Sequence, residues 1–395
     1  MKSILIWNYR ELTNTGGPKG YLYNIHEALK SNNNYNITFL SDLLTPIKEK
    51  KASGKSTKKS VIYNVLRDVK HVYSLCWGYF HYKKMQMPKD FCINDYDYVH
   101  IHTVYDVYTF RRTFPNYKGK VILTTHCPCP WTDEMLSHNY KFVALFRPII
   151  IYWECKAYAN VDYLMFPCKD AREPYEKDSQ IRSVFSRNES KFFYVPSAIM
   201  DIKIDENKMQ KLSDLGIPRD AFVISYFGRH NSIKGYDILK KVGEVLLDRY
   251  PNLYILCAGR IDIEPLKHPR WIELGFINNT HELLYQTDLY ISANRETYFD
   301  LVVLEILRSS TKLILSYTGG NKYFMNLPAN LKKGLLFFEN ENYQDLIGLV
   351  EKCIEKKINN PDDYKDECVS NRQLYLQEFT LDRYLDNYVK ALDTL

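Results

Sequence analysis

The chain has 395 residues, of which 45% are hydrophobic and 25% charged, a composition that excludes wholesale disorder. The length exceeds the roughly 250–300 residues at which a single core stops growing, so two domains are expected. Net charge is 53 − 47 = +6, too small a bias over this length for a dedicated nucleic-acid binder, and no nucleic-acid partner is expected.

The nine cysteines are an odd number, and no two follow the Cys-x-x-Cys spacing. Cys127 and Cys129 flank one proline, a poor geometry for a metal pair. The set reads as the reduced thiols of a cytoplasmic protein. The apolar start, Met1 to Trp7, is too short for a signal peptide. The best apolar run, Phe142 to Trp153, is interrupted by Arg147 and Pro148, so no membrane-spanning helix is expected.

Ile4 to Trp7 is a short apolar run that reads as a buried strand. A polar loop ending in Gly16 and Gly17 leads into a helical pattern from about Pro18 to Leu29. Pro18 suits a first helical turn, where its missing N–H costs nothing. Ile37–Leu40, Tyr98–Ile101, Val121–Thr124 and Tyr163–Phe166 read as further strands, separated by helix-length segments. The pattern restarts with Phe222–Phe227, Leu253–Cys257, Leu289–Ser292 and Leu313–Ser316. Such alternation predicts parallel sheets with helices on both faces. Val195 to Arg219, with two prolines and several charges, reads as the hinge. The last segment carries Leu381, Tyr384, Leu385, Tyr388, Val389 and Leu392 on one helical stripe that must be buried. The predicted architecture is therefore two doubly wound α/β domains facing a cleft, with ligands at the strand C-termini.

Gly54-Lys55-Ser56-Thr57 resembles the tail of a phosphate-binding P-loop, but Glu49 stands where the motif needs its first glycine. It reads as a basic loop, with Lys48, Lys50, Lys51, Lys58 and Lys59 around it. Such a loop can touch anionic lipid, at about 1 kcal/mol per basic residue. The aromatic-rich stretch from Val61 to Met87 extends this reading, giving a peripheral membrane or acceptor contact over 48–87 against ordinary packing.

Gly16-Gly17 lies between the first strand and the first helix, where a glycine pair lets backbone approach a phosphate. It fails the G-x-G-x-x-G pattern, which argues against a nicotinamide-dinucleotide enzyme. A stronger signal runs from Tyr226 to Asp237. There a strand delivers Arg229 to its C-terminal edge, and Lys234-Gly235 opens a helix. Two fixed cations beside a helix N-terminus suit a diphosphate, although either alone would read as a solvated charge. After the strand ending near Ser292, a loop carries Glu296 and Thr297, and a helix begins near Asp300 or Leu301. Glu305 sits one turn in, where a carboxylate can accept both ribose hydroxyls; its plain alternative is complementing the helix dipole, worth about 0.3–1 kcal/mol. Thr318-Gly319-Gly320 repeats the strand–glycine–helix layout. Val121 to His126 ends a strand in a histidine, either a substrate contact or a satisfied structural residue.

In this order, with Ala159-Asn160-Val161-Asp162-Tyr163 and Ile272 to Ile277 added, these residues resemble the family-4 retaining glycosyltransferases of GT-B fold, of the bacterial surface-polysaccharide type. The resemblance implies an N-terminal Rossmann-like acceptor domain over 1–196 with a returning C-terminal helix over 379–395. It implies a nucleotide-sugar domain over 197–378. Arg229 and Lys234 would neutralise the diphosphate, Glu305 would hold the ribose, and Phe276, Ile277 and Asn278 would face the base. Gly16 and Gly17 would approach the phosphate, the amides of Asp300 and Leu301 would bind it, and His126 would meet the sugar. No metal or other cofactor is implied. The resemblance points to a UDP-sugar donor and a surface-glycan, lipid-linked or glycoprotein acceptor, in a cytoplasmic enzyme peripheral to the inner membrane face.

Two departures stand out. Counting back from Glu305, the family's first acidic residue falls on Thr297, with Glu296 one place early, and Asp300 stands where the family has glycine. Either Glu296 or Thr297 takes the sugar contact; Thr297 is preferred, because Phe299 then stays in register. The altered spacing motivates a second reading, a non-catalytic GT-B subunit that binds a partner transferase or acceptor. A GT-B epimerase is a third.

Overall fold

The computed structural model describes residues 2–13, 17–32, 34–44, 84–137, 143–205, 209–277 and 280–395, with single positions between 63 and 73. Gly16, Asn278 and most of the 48–87 stretch lie outside the described residues.

The chain divides into two units, one comprising Met1–Pro167, Arg172–Val195 and Leu385–Leu395, the other Cys168–Ala171 and Pro196–Tyr384. In the first, strands β1 (Ile4–Trp7), β2 (Ile37–Phe39), β3 (Tyr98–Ile101), β4 (Lys120–Thr124), β5 (Tyr163–Phe166) and β6 (Phe192–Tyr194) form one sheet. Their order is β2-β1-β3-β4-β5-β6, and every neighbouring pair is parallel. In the second, β7 (Phe222–Phe227), β8 (Leu253–Ala258), β9 (Trp271–Glu273), β10 (Leu289–Ser292), β11 (Lys312–Ser316) and β12 (Leu335–Phe338) form another. That order is β12-β11-β10-β7-β8-β9, again all parallel.

The central strands are continuous apolar runs because helices cover both faces. All residues of β1, β3, β7, β10 and β11 are buried. Three strands absent from the sequence reading, β6, β9 and β12, are all sheet edges. They are short and mix buried with half-exposed residues, so they lack the apolar run that marks a central strand. Leu40, expected to end β2, instead opens a helical turn over Leu40–Leu43.

The C-terminal helix, Leu381–Asp393, buries Tyr384, Leu385, Tyr388 and Leu392. Within the first unit, the Tyr98 hydroxyl on β3 donates to the Leu392 carbonyl at 3.1 Å. The first unit takes up the chain again at Leu385. Phe379 is held in the second unit by Phe299, Tyr323 and Phe324, with ring centroids 5.7–6.3 Å away. No described helix is long and apolar enough to cross a membrane.

Candidate functional site

In the second sheet β7 lies between β8 and β10. The chain runs outward from β7 in one direction, then starts again at β10 in the other. That reversal leaves a switch point beyond the C-termini of β7 and β10, the place where open α/β sheets bind ligands. The loops after these two strands carry Arg229 and Lys234 on one side and Asn294 to Asp300 on the other.

Backbone contacts fix these loops to each other. The Arg295 amide donates to the Ile233 carbonyl at 2.8 Å. Its guanidinium grips the Asp237 carboxylate through two bonds of 2.8 and 2.7 Å. Gly235 adopts φ +68°, and a β-carbon there would lie 1.8 Å from the Ala293 carbonyl oxygen. Only glycine allows that approach. On the far side, a β-carbon on Gly319 would meet the Thr297 carbonyl oxygen at 2.3 Å. His230 is buried and stacked on Tyr236, with centroids 4.1 Å apart and planes 6° from parallel.

Arg229 is exposed, and its guanidinium makes no hydrogen bond or ion pair among the described residues. Lys234 is engaged: its ammonium lies 2.5 Å from Asp300 Oδ2. The Asn294 side-chain amide donates to the same oxygen at 2.6 Å. Asp300 precedes the Leu301–Arg308 helix, yet its carboxylate does not cap it. Its carbonyl accepts from the Val303 amide, while the Leu301 and Val302 amides have no partner among the described residues. These two N–H groups form the positive end of a helix whose usual cap is turned elsewhere.

Glu305 lies one turn into that helix, partly buried, with no hydrogen bond among the described residues. Burial raises its pKa and the nearby Arg308 only partly offsets this. A carboxylate in that state is an available acceptor. The two candidates for the sugar contact, Glu296 and Thr297, differ in exposure. Thr297 is fully buried, and its hydroxyl has no partner among the described residues. Glu296 is the partly exposed member. The Thr297 carbonyl packs against the Gly319 turn and accepts from the Gly320 amide at 3.1 Å. Phe299 is likewise core, stacked on Phe324 at 5.2 Å. Phe276, beyond β9, is 73% exposed with Ile277 beside it.

In the first unit, Gly17 opens the Gly17–Ser31 helix, and a β-carbon there would meet nothing within 4 Å. No packing demand within the described residues explains that glycine. His126 joins two histidines the sequence reading passed over. His102 Nδ1 and His126 Nε2 share a hydrogen bond of 3.0 Å, and their rings stack at 5.2 Å. His100 packs against His102 with ring centroids 4.2 Å apart and planes tilted by 32°. Burial drives all three pKa values down, to about 3 for His100, about 4 for His126, and well below the ordinary value for His102. The signal was the His100-Ile101-His102 alternation, since residues two apart in a strand share a face. Beyond His126, the loop is anchored by Glu154, a fully buried carboxylate that accepts from the Trp131 and Thr132 amides at 2.9 Å each.

No protein-family model matches the sequence, and a search of curated proteins finds no match. Solved structures do resemble it. Sucrose-phosphate synthase of Thermosynechococcus elongatus has TM-score 0.62 and 14% identity, covering 100% of this chain and 99% of that one. A glycosyltransferase of Rickettsia africae has TM-score 0.63 and 16% identity, covering 99% and 97%. HepE of Anabaena, solved with UDP-glucose, has TM-score 0.62 and 13% identity, covering 100% of each chain. The two parallel sheets and full-length match show the fold of the GT-B glycosyltransferases.

Proposed function

We propose that the protein is a glycosyltransferase that takes a nucleoside-diphosphate sugar, a UDP-sugar in the first instance, in its second unit. One observation carries the reading. At the switch point of β7 and β10, adjoining loops and the Leu301–Arg308 helix bring together an arginine, a lysine, two helix amides and a carboxylate, of which all but the lysine lack a partner among the described residues. Cations and helix amides suit a diphosphate, and a carboxylate suits a ribose diol. The choice of UDP is supported by HepE, which was solved with UDP-glucose.

In this reading Arg229, Lys234 and the Leu301 and Val302 amides hold the diphosphate, and Glu305 accepts from the ribose hydroxyls. Exposed Phe276 and Ile277 flank the base, and Glu296 reaches the sugar. As the bond from the anomeric carbon to the phosphate oxygen breaks, its electron pair leaves with the nucleoside diphosphate. The cations stabilise that growing charge, which is electrostatic catalysis of a leaving group. An acceptor hydroxyl forms the new bond from the same face, and a donor phosphate oxygen takes its proton, so configuration is retained.

The family-4 assignment, a metal-independent reaction and a surface-glycan or lipid-linked acceptor belong to the same proposal. So does a cytoplasmic site of action, with 48–87 touching the inner membrane face. They are supported by the ordered motifs, the lysines of that stretch, and the free thiols of every described cysteine. The test is calorimetric titration with UDP of the wild type and Glu305→Ala. The variant should bind at least tenfold more weakly, since a hydrogen bond to a charged group is worth about 1.5–3 kcal/mol. Equal affinity would remove Glu305 from the site. The non-catalytic reading would be favoured by a protein that binds UDP but never releases it from any UDP-sugar.

A further inference from the structure

Lys234 and Asn294 sit at the ends of neighbouring loops and converge on one oxygen, Asp300 Oδ2, at 2.5 and 2.6 Å. An ammonium and an amide N–H aimed at a single anionic oxygen form the donor set that a phosphoryl oxygen would take. Here a carboxylate of the chain itself fills it. The side chain that fills it is the one expected to cap the Leu301–Arg308 helix, and it does not. One residue thus leaves two helix amides free and occupies the nearest lysine.

We propose that Asp300 is an internal stand-in for the donor phosphate, and that the nucleotide binds by displacing it from Lys234 and Asn294. The inference rests on the donor-binding reading above. Four consequences follow from charge and geometry. Beside Arg229, the latched cradle has one net positive charge in place of two, so it attracts a single anionic group weakly. A diphosphate, with two charged phosphates and access to the helix amides, competes better than a monophosphate. Apparent affinity is the intrinsic affinity scaled by the unlatched fraction, so a tenfold preference for the latched state weakens binding about tenfold. Once displaced, the Asp300 carboxylate can turn to the Val303 amide, the third helical position at which an N-cap side chain accepts, leaving the Leu301 and Val302 amides to the diphosphate.

The experiment titrates UDP, GDP, ADP and inorganic pyrophosphate into wild type, Asp300→Asn, Lys234→Met and the double variant, with folding checked by circular dichroism. Asp300→Gly serves as a second removal of the carboxylate should the amide variant fold poorly. The proposal expects Asp300→Asn or Asp300→Gly to bind a nucleoside diphosphate and pyrophosphate about tenfold more tightly than wild type. It expects that gain to vanish when Lys234 is already methionine, because coupled residues show their interaction in the cycle. Wild-type binding that loss of the carboxylate leaves unchanged or weakens would overturn it and make Asp300 a support for the lysine. A gain that survives without Lys234 would also overturn it, pointing to general charge removal. Folded proteins that bind none of the four ligands would overturn the donor reading itself, and the exchange with it.

Discussion

The Tyr388 hydroxyl lies 2.8 Å from His100 Nδ1, so a side chain near the chain's end completes the hydrogen bonding of a fully buried histidine on β3. The other ring nitrogen meets Thr124 Oγ1 at 2.7 Å. Both nitrogens of a neutral imidazole are therefore satisfied, one as donor and one as acceptor. Tyr388→Phe leaves one of them without a partner inside the core. The expected cost is about 1–3 kcal/mol, the desolvation penalty of an orphaned buried group. Urea unfolding measures it, and an unchanged midpoint would show that this contact does not hold the helix to the first sheet.

The three packed histidines make a second prediction about the same unit. Their folded pKa values lie below the ordinary 6.5, at about 3 for His100 and about 4 for His126, with His102 also depressed. Below pH 6.5 the unfolded chain therefore binds protons that the folded chain refuses. Stability is fully present above that pH and falls as pH drops toward 4, by up to about 1.4 kcal/mol per pH unit for each histidine. Unfolding at pH 7.5, 6 and 5 tests the sign. A His100→Gln variant should flatten part of the slope; a slope unchanged by it would assign the acid sensitivity to other groups.

Glu305 makes the opposite trade. Burial raises its pKa above the ordinary 4.5, so the folded protein holds that proton more tightly than the unfolded one. Its contribution to stability is present below pH 4.5 and is lost as pH rises through the folded value. At neutral pH the charged form is a net cost without ligand. Glu305→Gln should then melt higher than wild type at pH 7 while binding UDP at least about tenfold more weakly. A variant that melts lower would mean that the carboxylate has a structural partner.

Arg229 and Lys234 separate by the same logic. Arg229 has no side-chain partner among the described residues to lose, so Arg229→Ala should leave the melting temperature unchanged and cost about 1.5–3 kcal/mol in nucleoside-diphosphate binding. Lys234→Met strips Asp300 of its cation and should lower both. Titration and melting curves on the two variants read this out. Unchanged affinity in Arg229→Ala would contradict its place at the diphosphate.

The central strands were legible because continuous apolar runs such as Phe222–Phe227 admit few other readings. The edge strands β6, β9 and β12 were not, since half-exposed residues such as those of Leu335–Phe338 carry no distinct period. The helix start near Leu301 and the glycine-bearing turns were visible in the order of residue types. What the sequence could not give was direction. Thr297 and Glu296 are adjacent, and only the folded chain shows that Thr297 is fully buried and Glu296 partly exposed. Nor does spacing reveal that Asp300 folds back on Lys234. Sixty-odd positions separate the two (|i−j| = 66), and strand order alone brings β7 beside β10. His100 and His102 were readable as a pair, but their link to Tyr388 needed the position of the last helix.

A thermal-shift panel with UDP, GDP, ADP and CMP, run on wild type and Glu305→Ala, tests the central claim most directly. The account predicts that one nucleoside diphosphate, UDP first, raises the melting temperature of the wild type and that the shift disappears in the variant. No shift with any of the four, or a shift that Glu305→Ala keeps in full, would contradict the second unit as a nucleotide-sugar site built on that residue.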